Sequence, residues 1–323
     1  MKRKALICGV SGQDGAFLSR LLLEKGYDVY GTSRDAQASG FANLSSLGIR
    51  DQVHLESMSL VDFRSVLQVL DKIEPDEVYN LAGQSSVGLS FEQPAETLES
   101  HAIGTLNLLE AIRFLARPLR MYNASSGECF GDTGGCAADE GTAFRPRSPY
   151  AVAKSTSFWE VANYREAYGL FSCSGILFNH ESTLRPPRFV TRKVVQSACR
   201  IASGAQDKLV LGDISIRRDW GWAPEYVEAM WLMLQQDMAD DYVIATGDVH
   251  SLEEFVSEAF ACVGLNWREH VEVSRDLFRP SEISEGFGDP AKAERELGWK
   301  AKYRMQDVVR MMVEAERVLH VDA

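Results

Sequence analysis

The sequence predicts an α/β fold: a Rossmann-like doubly wound parallel sheet with a smaller, mostly C-terminal α/β lobe against it. Three observations lead there. Short apolar runs alternate with helical patterns through the first half, the rhythm of right-handed βαβ units. A turn with three spaced glycines follows the first apolar run. The alternation loosens after about residue 180, where Arg and Pro become frequent.

Each element follows in order. Residues 5–10 (ALICGV) read as a buried strand and 15–25 as a helix ended by Gly26. Strands follow at 28–33 and 53–57. Asp62 can cap a helix running to about Lys72. A fourth strand is expected at 77–82, a helix at 96–115 and a fifth strand at 119–126. A helix at 149–168 and a strand at 172–179 complete the regular part. Strand character returns at 242–247, and the tail from Leu252 to Val318 reads as mostly helical, with a loop around Arg279–Asp289. The expected division is a dinucleotide domain at 1–180, rejoined by 219–249, and a substrate lobe formed by 181–218 and 250–323.

With 323 residues, 45% hydrophobic and 25% charged, the chain has ample material for a core. A net charge of -12 argues against general binding to nucleic acid or an anionic membrane. It does not exclude a local cationic pocket for a small phosphorylated ligand. Lys2, Arg3 and Lys4 precede an apolar run that ends at Gly9, too short for a signal peptide. No apolar run is long enough to span a bilayer. Cys8, Cys129, Cys136, Cys173, Cys199 and Cys262 form no CxxC pair and read as reduced thiols. The expected location is therefore the cytoplasm. The histidines are scattered without metal-ligand spacing, so no metal is expected.

The turn Gly9-Val10-Ser11-Gly12-Gln13-Asp14-Gly15 joins the first strand to the first helix. Glycines there let the backbone approach a pyrophosphate, which the helix N-terminus then binds. An ordinary glycine-rich turn would show the same residues; the strand–turn–helix context favours a dinucleotide. Arg34, at the end of the second strand, suits the 2′-phosphate of NADP, whereas the adjacent Asp35 would suit NAD ribose hydroxyls. Tyr150 and Lys154 lie one helical turn apart on one face. An ammonium beside a phenol is expected to lower the tyrosine pKa and make it a usable base. Ser126 ends the fifth strand and offers a hydroxyl partner, and Glu128 adds a carboxylate able to move a carbon-bound proton.

These residues, with NLAGQSSVG (80–88), RPRSPYAVAK (145–154), GILFNHES (175–182), FVTRK (189–193), RDWGWAPEYVEAMW (218–231), FRPSE (278–282) and KAERELGW (292–299), carry a resemblance. The chain resembles the extended short-chain dehydrogenase/reductases that modify nucleotide sugars, and within them the GDP-mannose 4,6-dehydratase family. Ser126-Gly127-Glu128 stands where that family usually has Thr-Ser-Glu. The resemblance implies a catalytic set of Ser126, Glu128, Tyr150 and Lys154. It implies NADP on Gly9, Ser11, Gly12, Gln13, Asp14, Gly15, Arg34, Ser59, Leu60, Leu81, Ala82, Gln84, Ser85, Tyr150, Lys154, His180 and Arg185. It implies a GDP-sugar on Ser85, Ser126, Asn179, Val190, Lys193, Leu211, Gly212, Arg218, Arg279 and Glu282. A homodimer through the helices at 96–115 and 149–168 is also implied, with a tetramer left open. Substitutions near Arg145 and Pro186 keep a related sugar, such as GDP-manno-heptose, in consideration. A GDP-sugar epimerase or ketoreductase and a non-catalytic NADP-binding scaffold are the alternatives.

Overall fold

The computed structural model describes residues 2–321. Its centre is a seven-stranded parallel sheet. Six strands are β1 (Lys4–Cys8), β2 (Asp28–Ser33), β3 (His54–Ser57), β4 (Glu77–Asn80), β5 (Arg120–Ser126) and β6 (Phe171–Leu177). They lie in the order β3-β2-β1-β4-β5-β6, with Tyr242–Ile244 added beside β6. Ala5, Leu6, Ile7 and Cys8 of β1 are all fully buried, as expected of a central strand covered on both faces. The order reverses between β1 and β4, so the crevice at the carboxyl ends of these strands is where a ligand would enter.

Helices Gln13–Glu24 and Ala223–Met233 cover one face; Phe63–Ile73, Gly104–Leu115 and Pro149–Tyr168 cover the other. Their ends follow local chemistry. Asp62 accepts a hydrogen bond from the Arg64 amide at 3.0 Å and starts the first of that group. Ser148 accepts from the Ala151 amide at 3.1 Å, Pro149 occupies the first turn, and Gly169 (φ 66°) ends the helix. This sets Tyr150 and Lys154 on the opening turns of Pro149–Tyr168.

The smaller lobe has its own core, with Val194, Val195, Phe255, Phe260, Val309 and Met312 in contact. These come from helices Val190–Ala202, Leu252–Cys262 and Met305–Val321. A small sheet lies beside them: Arg217–Trp222 pairs with Val249–Ser251, Glu285–Gly286 and Asn179–Glu181. The segment 223–244 returns to the large sheet.

Four elements differ from the sequence expectation. The strand expected at 172–179 breaks at Phe178, whose amide bonds the Ile244 carbonyl at 3.0 Å, and Asn179–Glu181 leaves for the small sheet. The loose region after residue 180 contains the helix Val190–Ala202, and its apolar stripe at 190, 194, 195, 198 and 201 was obscured by the surrounding Arg and Pro. The helix expected at 96–115 starts at Pro94 and is interrupted by a π turn over Glu99–Ile103. The tail also contributes strands, at Val271–Val273 and Glu285–Gly286.

Candidate active site

The glycine turn is built for close approach. Gly9 has φ 82°, and a Cβ there would lie 2.9 Å from Ala82 Cα. A Cβ on Gly15 would lie 2.5 Å from the Gly9 carbonyl oxygen. The following helix begins after Gly12 with no side-chain cap, so its first amides are left for an anion. That combination fits a dinucleotide pyrophosphate. Gln13 is buried and ties the turn to the other lobe: it donates to the His180 carbonyl at 3.2 Å and accepts from the Ser182 hydroxyl at 2.7 Å. The Ser11 carbonyl accepts from Asn43 at 2.9 Å.

Asp14 sits in the first turn of that helix, where its charge would oppose a pyrophosphate. His180 answers it: Nε2 lies 2.9 Å from Asp14 Oδ2 and Nδ1 lies 2.7 Å from the Phe178 carbonyl. Both neighbours are acceptors, so the pair favours an imidazolium. Burial works against both charges, yet the mutual attraction and hydrogen bond raise the His180 pKa and lower that of Asp14.

A cleft of about 430 Å³ opens at the carboxyl ends of the strands. Ser126, Glu128, Tyr150 and Lys154 all line it. So do Asp14, Leu81, Ser85, His180 and Arg185 of the expected cofactor residues, and Asn179, Val190, Lys193, Leu211, Gly212, Arg218 and Arg279 of the expected sugar-nucleotide residues. Glu282 lies behind the wall, accepting from Arg218 at 2.9 Å and Arg279 at 3.1 Å. Gly9, Ser11, Gly12, Gln13, Gly15, Ser59, Leu60, Ala82 and Gln84 build the turns around the cleft rather than line it. The Ser59 amide bonds Ser65 at 3.1 Å, and the Leu60 carbonyl accepts from Asn107 at 2.8 Å. Arg34 is exposed, 3.8 Å from Glu96.

The electrostatics correct one expectation. Lys154 does not lower the Tyr150 pKa below its ordinary value: burial dominates and pushes it well up, opposed by a hydrogen bond with Ser126. The lysine is itself buried, its pKa is pulled down to about 8, and Nζ donates to the Ala124 carbonyl at 2.7 Å. Burial also raises the Glu128 pKa, with Arg218 and Arg279 acting against it. Arg218 Nε is 4.0 Å from Glu128 Oε1, while its Nη1 donates to the Arg217 and Ile283 carbonyls at 2.9 and 2.8 Å.

Sequence reasoning missed Arg188, which lines the cleft from an exposed turn after the double proline. Its only signal is a third arginine in the segment 185–192. Arg145 is not among the cleft-lining residues; its carbonyl packs 2.2 Å from where a Cβ on Gly131 would stand. Among the described residues no group of three or more His, Cys, Asp or Glu could hold a metal ion.

The family model described as GDP-mannose 4,6 dehydratase matches residues 6–312. GDP-mannose 4,6 dehydratase 1 of Arabidopsis thaliana is 46% identical over 98% of this chain and 90% of its own length. The Homo sapiens GDP-mannose 4,6 dehydratase is 40% identical over 97% and 91%. Among solved structures, a Thermus thermophilus UDP-glucose 4-epimerase in complex with NAD superposes with a TM-score of 0.85 at 26% identity, covering 97% of this chain and 99% of that one.

Proposed function

The chain belongs to the GDP-mannose 4,6-dehydratase family, and on that premise we propose that it converts GDP-mannose to GDP-4-keto-6-deoxymannose, a hydro-lyase reaction with an internal redox step. The observation that carries this reading is the half-buried carboxylate of Glu128 sharing one cleft with Ser126, Tyr150 and Lys154. A ketoreductase needs a phenol, a lysine and a hydroxyl. Elimination across C5 and C6 needs, in addition, a group that moves a carbon-bound proton.

A nicotinamide cofactor held at the glycine turn would supply reversible hydride transfer, with no net change in its redox state. Tyr150 takes the proton of the 4-hydroxyl while Ser126, in the same cleft, steadies the 4-oxygen. Lys154 Nζ stands 5.8 Å from the Tyr150 ring centroid, a positive charge that favours the phenolate while burial acts the other way. The new ketone acidifies C5, and Glu128 removes that proton and passes it to the 6-oxygen, which leaves as water. The proton lost from the 4-hydroxyl is balanced by one entering C5. Lys193, Arg218 and Arg279 are the cations for the diphosphate. NMR of GDP-mannose with the protein and NADP tests this: a new C6 methyl without net cofactor change is expected. Intact sugar with NADP bound would overturn the substrate assignment and make GDP-manno-heptose the next candidate.

NADP, rather than NAD, is the cofactor we propose. Asp35 caps its own loop, accepting from the Gln37 and Ala38 amides at 2.9 and 3.0 Å through Oδ1. That use competes with reading ribose hydroxyls and leaves the exposed Arg34 for a phosphate. Arg34→Ala is expected to raise the NADP Kd about tenfold or more, the worth of one charge-assisted bond, with NAD affinity unchanged. Isothermal titration with both cofactors checks this.

A homodimer is supported by exposed apolar side chains on the two expected helices. Leu98 and Ile103 are 39% and 44% exposed, and Val152 and Trp159 are 43% and 61% exposed. Such a stripe suits burial against a second copy. Trp159→Glu is expected to yield monomers by light scattering; an unchanged mass would remove this face from the assembly. No helix of the described residues is long and apolar enough to cross a membrane. The free thiols suit the reducing cytoplasm we propose as its location.

A further inference from the structure

We infer that His101, which no sequence motif singled out, is a positioning residue: it fixes the Tyr150 ring and the loop 81–84 relative to one another. The inference rests on the reading of Tyr150 above for its kinetic half; its cofactor-loop half stands apart from the reaction assigned.

The helix leading to Leu115 widens into a π turn at Glu99–Ile103. Such turns are rare, occur mostly as single-turn bulges inside α-helices, and are frequent at functional sites. The side chain aimed inward here is His101, 4% exposed. Its ring meets the Tyr150 ring edge-on, with centroids 5.5 Å apart and planes at 81°. On its other side, Nε2 lies 2.7 Å from the Gln84 carbonyl oxygen. A carbonyl only accepts, so Nε2 carries the hydrogen and donates.

The loop is moulded around the imidazole. Gly83 has φ 131°, and a Cβ there would stand 2.2 Å from the ring Cε1. The same loop carries Leu81, whose amide bonds the Cys8 carbonyl at 3.1 Å, and Ala82, against which Gly9 packs. One imidazole thus touches both the phenol and the loop that backs the glycine turn. Burial, with the charge of Lys154, pulls its pKa down to about 3. It therefore stays neutral and adds no second cation beside Lys154.

Substitutions divide the two contacts. His101→Phe keeps a ring against Tyr150 and removes the donor to Gln84. His101→Gln keeps an amide donor and removes the ring. In the full-length chain, NADP Kd is read by fluorescence titration and kcat and KM with GDP-mannose by NMR time course. The Phe variant is expected to weaken NADP about tenfold, the cost of taking the donor from a half-buried carbonyl, with kcat within about threefold of wild type because the ring contact to Tyr150 survives. The Gln variant is expected to lose about tenfold or more in kcat at unchanged KM, because a misplaced phenol penalises only the chemical step.

Folded variants with Kd and kcat both within about twofold of wild type would overturn the inference, since a lost positioning contact costs more than that. So would equal losses in both readouts from both variants, or failure of both to fold; each would make His101 a plain core residue. If wild type leaves GDP-mannose intact, the functional reading has failed. The difference in NADP Kd between the Phe and Gln variants then still decides the loop contact.

Discussion

Glu128→Gln is expected to abolish dehydration while leaving the fold intact. The loss in kcat should be about 10³-fold, within the range for removing a general acid–base group, because this one carboxylate both takes the C5 proton and delivers it to the departing oxygen. The amide keeps the shape of the side chain. Arg218 keeps its bonds to Glu282 and to two backbone carbonyls, so it is not stranded by losing Glu128 at 4.0 Å. The melting temperature should therefore barely move. Exchange of the C5 hydrogen into deuterated solvent, read by NMR, separates this from a binding defect: the variant binds GDP-mannose and exchanges nothing. The wild-type pH profile carries the same signature. Glu128 works as the carboxylate, and burial raises its pKa. Activity should thus fall with decreasing pH through an acid limb above the ordinary glutamate range. A limb at the ordinary value would mean that another group limits the rate.

Tyr150→Phe is expected to cost about 10³-fold or more in kcat as well, with NADP affinity close to wild type. Without the phenol, nothing in the cleft is placed to take the 4-hydroxyl proton as hydride departs. The lost hydroxyl also strands no charge; its neighbour in the cleft, Ser126, still accepts from the Glu128 amide at 3.3 Å. Stopped-flow absorbance distinguishes the two variants. Glu128→Gln can still oxidise C4 and shows reduced cofactor on mixing with GDP-mannose, whereas Tyr150→Phe shows none. Reduced cofactor formed at the wild-type rate by Tyr150→Phe would remove the phenol from the first step.

The parallel sheet was legible in the sequence because short strands alternate with helical patterns, and the buried apolar run of β1 shows it best. The helix Pro149–Tyr168 was legible at both ends from Ser148-Pro149 and Gly169. Tyr150, Lys154 and Glu128 were legible because their spacing is local to one helix and one strand end. What escaped depends on partners far away in the chain. Asn179–Glu181 leaves the large sheet because Arg217–Trp222 offers it an edge, which no local pattern announces. The π turn at Glu99–Ile103 has no composition of its own; packing of His101 against Gly83 and Tyr150 marks it. The Tyr150 pKa went the other way because a helical spacing reveals the lysine but not the depth of burial that outweighs it.

The most direct test of the internal redox step is the fate of the hydrogen on C4. GDP-mannose carrying deuterium at C4 is incubated with the protein and unlabelled NADP, and the product is examined by NMR and mass spectrometry. Internal hydride return predicts a 4-keto product whose C6 methyl holds one deuterium, with none in the released cofactor. Deuterium accumulating in the cofactor, or a sugar still labelled at C4, would contradict it.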